Sequence, residues 1–216
     1  MAIPVLIIGK SGSGKSASLR NFKPEEVGVI NVMGKPLPFK STLKTGQTKS
    51  YETIDTWLKT STPPSIVIDD AGYLITDYFM ARHSNFGAGN AVFQLYNELA
   101  DKFYSLITSI QHLPADKIIY LMMHEEESDT GSIKPKTIGR LLDEKVNIEG
   151  MFTIVLRCVS DKNKHVFLTQ SSGYDVAKSP IGMFDELEID NDLKMVDDVI
   201  REFYNLKGTE KNEQTK

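Results

Sequence analysis

The sequence predicts an α/β domain: a mainly parallel sheet flanked by helices, with an antiparallel hairpin extension near the C-terminus. Three observations carry this. Short continuous apolar runs recur at residues 4–8 (PVLII), 27–33 (VGVINVM), 65–69 (SIVID) and 117–123 (KIIYLMM), the pattern of strands buried on both faces. Helical periodicity falls between these runs. Late in the chain, residues 151–159 and 164–170 are β-rich and separated by a turn around 161–163, the mark of a hairpin.

In chain order, the strand at 4–8 leads into a helix expected to start near Gly14 and run towards Arg20. After the strand at 27–33, residues 51–58 place Ile54, Trp57 and Leu58 on one helical face. The strand at 65–69 precedes helices at 73–80 and 91–110. In the second of these Val92, Leu95, Leu99, Phe103, Leu106 and Ile110 recur at steps of three and four. A last amphipathic helix is expected over 192–204, with Leu193, Val196, Val199, Ile200 and Phe203 inward. One domain over 1–206 follows. The tail at 207–216 (KGTEKNEQTK) has no hydrophobic residue and reads as frayed.

The whole-chain numbers set the frame. With 216 residues and 40% hydrophobic content the chain has enough apolar side chains for a full core. The formal net charge of −4 excludes a polycation that coats nucleic acid but allows a local basic strip. The single cysteine, Cys158, forms no internal disulfide and fits a reducing compartment. No signal peptide or membrane-length apolar run is visible, so the expected location is the cytoplasm.

The segment Gly9-Lys10-Ser11-Gly12-Ser13-Gly14-Lys15-Ser16 matches G-x-x-x-x-G-K-[ST] throughout. Glycines let the backbone curl so that successive N–H groups face phosphate oxygens. Lys15 would reach the β- and γ-phosphates, and the Ser16 hydroxyl would ligate Mg²⁺. The context fits, since the motif follows a buried strand and opens a helix.

Two further strand ends add chemistry. The run at 65–69 ends in Asp69-Asp70; Asp69 is the candidate for the metal and Asp70 for orienting the attacking water. The run at 117–123 ends in His124, placed to donate a hydrogen bond to phosphate or water, with Glu125 as a spare base. His83, His112 and His165 show no metal spacing. Two basic stretches remain. Residues 128–140 carry Lys134, Lys136 and Arg140 in a polar segment, suited to a nucleic-acid backbone or to a transferring phosphate across a subunit boundary. Residues 35–49 carry Lys35, Lys40, Lys44 and Lys49 with Phe39, either a strand-tracking groove or, preferred, an ordinary exposed β-ribbon.

Taken in order, the phosphate loop, IVIDD at 66–70, IIYLMMH at 118–124, KPKTIGRLLDE at 134–144, SGYDVAKSPIGMF at 172–184 and NDL at 191–193 resemble small phage-encoded P-loop ATPases related to the RecA core, over roughly residues 2–206. Some members of that group are single-strand annealing proteins of phage recombination. The resemblance implies a RecA-like core, ATP with Mg²⁺, single-stranded DNA as partner, and a homo-oligomer with nucleotide at the subunit interface. A single-strand-binding protein is a further implied partner, and the bacterial host cytoplasm the implied location. It also implies that Lys134 and Lys136 reach a neighbour's nucleotide and that Gly173 and Tyr174 lie near the base. The sequence departs from RecA where residues 27–33 run into Gly34-Lys35 with no catalytic acid.

The expected function is therefore an ATP-binding, ATP-hydrolysing recombination protein acting on single-stranded DNA. The rival is an AAA-type ATPase that remodels or regulates a protein partner without touching DNA. A small-molecule kinase is third, its only lid candidate being 128–140. No clear guanine-reading N-K-x-D motif is present, and ATP is the expected nucleotide.

Overall fold

The computed structural model describes residues 1–85, 90–128, 130–139, 141–162 and 164–206. Arg140 and the polar tail at 207–216 lie outside the described residues.

The strands are β1 (Ile3–Gly9), β2 (Val27–Asn31), β3 (Lys44–Gln47), β4 (Ser65–Asp69), β5 (Ile118–Glu127), β6 (Ile133–Pro135), β7 (Ile154–Asp161), β8 (Lys164–Leu168) and β9 (Glu188–Asp190). The helices are α1 (Tyr51–Thr60), α2 (Gly72–Met80), α3 (Asn90–Ile110) and α4 (Leu193–Phe203). Among the described residues the sheet runs β3-β2-β4-β5-β1-β7-β8-β9, with β6 paired to the end of β5. The first six are mutually parallel. The β7–β8 hairpin and β9 add the antiparallel extension.

The apolar runs are the central strands because both of their faces are covered. Leu6, Ile8, Ile66, Ile68, Ile119 and Leu121 alternate onto the face that packs with α1, α2 and α3. Val5, Ile7, Val67, Ile118, Tyr120 and Met122 alternate onto the other, with Leu19 and with Leu193, Val196 and Ile200 of α4. Each such side chain, when fully buried, stabilises the fold by roughly 1.5–3 kcal/mol. Ser50 caps α1 by accepting from the Thr53 N–H at 3.1 Å, and Asp192 caps α4 through Lys194 N at 3.0 Å.

Beneath α4, at the amino-terminal end of β4 and β5, a buried polar network ties helix to sheet. Asp197 accepts from Ser65 Oγ, from Tyr120 OH at 2.9 Å and from Arg201 Nε at 2.6 Å. Arg201 also donates to Ser65 Oγ at 2.6 Å and to the Asp116 carbonyl at 3.0 Å.

Three local expectations change. The segment after the phosphate loop is a 3₁₀ turn, Ser16–Asn21, rather than an α-helix. Ser18 Oγ donates to the Lys15 carbonyl at 2.6 Å, competing with the helical ladder, and Pro24 blocks extension. The basic stretch at 35–49 is not a β-ribbon. Its only strand, β3, pairs parallel with β2 as a sheet edge. And β5 runs to Glu127, four residues past the apolar run, because β6 folds back on its end.

Candidate nucleotide-binding site

The parallel strands end along one edge, and their ends carry the chemistry in spatial order. Lys35 follows β2, Asp69 and Asp70 end β4, His124 lies on β5, and Gly9 ends β1. The register fixes two of these neighbours: Asn31 lies opposite Asp69, and His124 opposite Gly9. Strand β5 thus separates the loop strand from the acidic strand, and the turn after the loop brings Ser16 to Asp69 all the same.

The loop backbone is shaped as glycine chemistry requires. Gly14 has φ +106°, and a Cβ there would lie 3.0 Å from His165 Nδ1; Gly12 has φ +78°. At Gly9 a Cβ would meet the Cys158 carbonyl oxygen at 2.5 Å and Ser13 Oγ at 2.6 Å. Lys15 is only 7% exposed. Its ammonium donates to the Gly9 carbonyl at 2.6 Å and the Lys10 carbonyl at 2.9 Å, closing the loop on itself. Burial pushes its pKa below the ordinary lysine value, partly offset by Cys158, Asp70 and Asp69 nearby. Ser16 Oγ donates to both oxygens of Asp69, at 3.0 and 2.9 Å. Asp69 is buried, which raises its carboxyl pKa against the lowering effect of that hydrogen bond. A hydroxyl and a buried carboxylate sharing one point beside a phosphate loop suit an oxygen-loving cation such as Mg²⁺, which keeps several waters and takes few protein ligands.

Asp70 stands in the left-handed region at φ 60°. Its Oδ2 lies 2.8 Å from Lys35 Nζ, and its Oδ1 lies 3.6 Å from His124 Nε2. Burial lowers the His124 pKa, with Lys15, Lys35 and Lys136 adding to the effect and Asp70 opposing it. The site therefore favours the neutral imidazole. A cavity of about 520 Å³ opens beside the loop, lined among others by Lys10, Ser11, Lys35, Tyr73, His124 and Lys136.

The other candidates fall as follows. Glu125 is held by Arg157 through two hydrogen bonds of 2.9 and 3.0 Å, which leaves it a structural acid rather than a free base. The same guanidinium lies 3.7 Å from Asp175, whose Oδ1 accepts from the Ala177 N–H at 2.9 Å. Tyr174, next to Asp175, has a side chain 70% exposed, and its carbonyl accepts from Ile133 N at 2.7 Å. Lys134 and Lys136 line different cavities. Lys136 lines the cavity of its own chain's phosphate loop, whereas Lys134 lies 3.6 Å from Glu126 and lines a separate cavity of about 110 Å³.

Sequence reasoning missed the residues that brace the loop from behind. His165 Nδ1 lies 2.8 Å from the Ser13 carbonyl, which requires the Nδ1–H tautomer. Cys158 Sγ donates to the same carbonyl at 3.1 Å and accepts from Asn191 Nδ2 at 3.2 Å. No local motif marks these residues, since they come from β7, β8 and the approach to α4. Lys35 shows in the sequence only as one of the basic residues of 35–49; nothing there places it beside Asp70.

A glycine-rich loop between a buried strand and a helical turn, an acid on a neighbouring strand bonded to the loop serine, and a polar residue on the strand between them define a P-loop NTPase. The family model for the AAA domain matches residues 1–181, and the chain belongs to that family. The matched stretch ends before β9 and α4. No curated protein matches the chain. Among the described residues no helix is long and apolar enough to cross a membrane.

Proposed function

We propose that this protein is an Mg-ATP-hydrolysing ATPase of the phage recombination kind, acting on single-stranded DNA as a homo-oligomer. The observation that carries the nucleotide half is the Ser16–Asp69 pair beside the Lys15-closed loop. Lys15 would exchange its two loop carbonyls for the β- and γ-phosphates. Ser16 and Asp69 would hold Mg²⁺, which neutralises phosphate charge when bound. Asp70 would orient the attacking water, and neutral His124 would donate a hydrogen bond toward the terminal phosphate.

The DNA half is supported by Lys134 on the β5–β6 hairpin, which lines a cavity apart from the phosphate loop, and by the resemblance described above. Weak phosphate contacts summed over an oligomer would let an acidic chain hold a strand. The test is fluorescence anisotropy of a labelled oligo-dT strand, with and without Mg-ATP, at two salt concentrations. The expected result is ATP-dependent binding that weakens with salt and is lost in Lys134→Ala/Lys136→Ala. Absence of strand binding under every condition, with nucleotide still bound, would sink the DNA half.

One observation favours the rival reading, remodelling of a protein partner by an AAA-type ATPase. Several basic side chains outside the loop are paired with acids: Lys49 with Asp77, Lys102 with Glu52, Lys164 with Glu188 and Lys194 with Asp198. Such pairing reduces the net positive field available to a nucleic acid. Nucleotide binding without strand binding would move the assignment there.

A further inference from the structure

We infer that Lys35 is a ligand of the nucleotide's terminal phosphate, supplied by the chain to its own site. This rests on the Mg-ATP reading and adds to it the residue that tells ATP from ADP.

The placement of Lys35 is built. Asn31, only 8% exposed at the end of β2, accepts from the Gly34 N–H at 2.7 Å and donates to the Lys35 carbonyl at 2.5 Å. Gly34 has φ +68°, and a Cβ there would strike the Gln47 side chain at 2.2 Å. This turn directs the chain back over the end of β4. Lys35 Nζ then sits 2.8 Å from Asp70 Oδ2 and 5.2 Å from the centre of the Tyr73 ring. Its side chain is 58% exposed, so the flexible stem leaves the ammonium free to change partner. It lines the same cavity as Lys10 and Ser11 of the phosphate loop and His124.

A terminal phosphate entering this cavity carries more negative charge and more acceptor oxygens than the Asp70 carboxylate. It therefore competes for the same ammonium. The exchange does two things. It adds a charge-assisted contact that exists with ATP and not with ADP. It also releases Asp70, on the next strand, to orient the attacking water. In that step the water oxygen bonds to the γ-phosphorus as the bond from phosphorus to the ADP oxygen breaks. The water's proton passes to an oxygen of the departing phosphate. Tyr73 and His124, in edge-to-face contact at 5.7 Å between ring centres, form one wall of the space in which this happens. The cation thus comes from the same chain that holds the nucleotide, so triphosphate recognition does not wait on a neighbour.

The experiment is calorimetric titration of the full chain with Mg-AMPPNP and with Mg-ADP, comparing wild type, Lys35→Ala, Lys35→Arg and Lys15→Ala. The expected result is that Lys35→Ala weakens AMPPNP about tenfold, the scale of one charge-assisted hydrogen bond, and changes ADP less than about twofold. Lys35→Arg should keep most of the preference. Equal weakening of both nucleotides, or no weakening of either, would overturn the inference. So would unchanged AMPPNP affinity with faster ATP turnover, which would make Lys35 a restraint on Asp70 alone. If Lys15→Ala loses both nucleotides while Lys35→Ala matches wild type, this inference fails and the nucleotide reading stands. If wild type binds neither nucleotide, both fail.

Discussion

Strands β4 and β5 carry a polar cluster at each end, and the two are built differently. At the amino-terminal end, Asp197, Arg201, Ser65 and Tyr120 bond one another or a backbone carbonyl inside the fold. At the other end, Lys15 is held by loop carbonyls, His124 stands 3.6 Å from Asp70, and the hydroxyls of Ser13 and Thr137 are buried without a partner. A cavity of about 520 Å³ opens beside them. A saturated cluster contributes to stability and leaves nothing for a ligand. An unsaturated one carries strain and unmet hydrogen bonds that a ligand can relieve.

The comparison breaks most readily at the saturated end. Asp197→Ala takes from the buried Arg201 guanidinium its neutralising carboxylate and should destabilise the fold by about 3–5 kcal/mol, lowering the melting temperature by roughly 10 °C. A shift below about 2 °C would mean the network is ornamental. Lys15→Ala should behave in the opposite manner. It removes a buried ammonium whose ionised form burial disfavours, so the melting temperature should hold or rise while nucleotide binding is lost. A large drop in melting temperature would make Lys15 a structural lysine.

Asp69→Asn gives a smaller, pH-dependent effect. Burial raises the folded-state pKa of Asp69 above its unfolded value. Its protonated form is thus favoured in the fold, and the associated stability is present below the unfolded pKa of about 3.9 and lost as pH rises through the folded value. The asparagine variant should keep that stability to neutral pH in metal-free buffer and bind Mg-nucleotide more weakly. Denaturant melts at pH 4 and pH 7 check this; an unchanged pH dependence would contradict it.

The smallest effect is on His124. Its folded pKa is lowered, so its stability contribution is present above about 6.5 and lost as pH falls through the folded value. By NMR its titration midpoint should lie below 6.5 and move up in Lys35→Ala, since Lys35 is one of the cations lowering it. A downward move would show that the Lys35–Asp70 pair acts on the imidazole in another way.

The two ends also differ in how far the sequence reveals them. The phosphate loop, Asp69-Asp70 and His124 are legible because each closes an apolar run long enough to mark a buried strand. The helices were legible by period, α4 included, except that Phe203, expected inward at its last turn, is exposed. The loop's rear brace was not, because Cys158, His165 and Asn191 converge from three separate segments and no spacing relates them. The Asp197 network was hidden for the same reason: Ser65 and Tyr120 look like interruptions in apolar strands until α4 is placed over them. Strands β3, β6 and β9 are four residues or fewer, too short for an alternation to mark them. Lys134 and Lys136 read as one pair because they are two residues apart, yet the fold turns them to different cavities.

Titration calorimetry of ATP into wild type and Lys15→Ala, each with and without Mg²⁺, tests whether the loop at Gly9–Ser16 holds the nucleotide. Wild type should bind one nucleotide saturably and more tightly with Mg²⁺, and the variant should lose about 10- to 100-fold in affinity, the scale of charge-assisted hydrogen bonds from one ammonium. Equal affinity in wild type and variant would mean that the loop at Gly9–Ser16 is not where this protein holds its nucleotide.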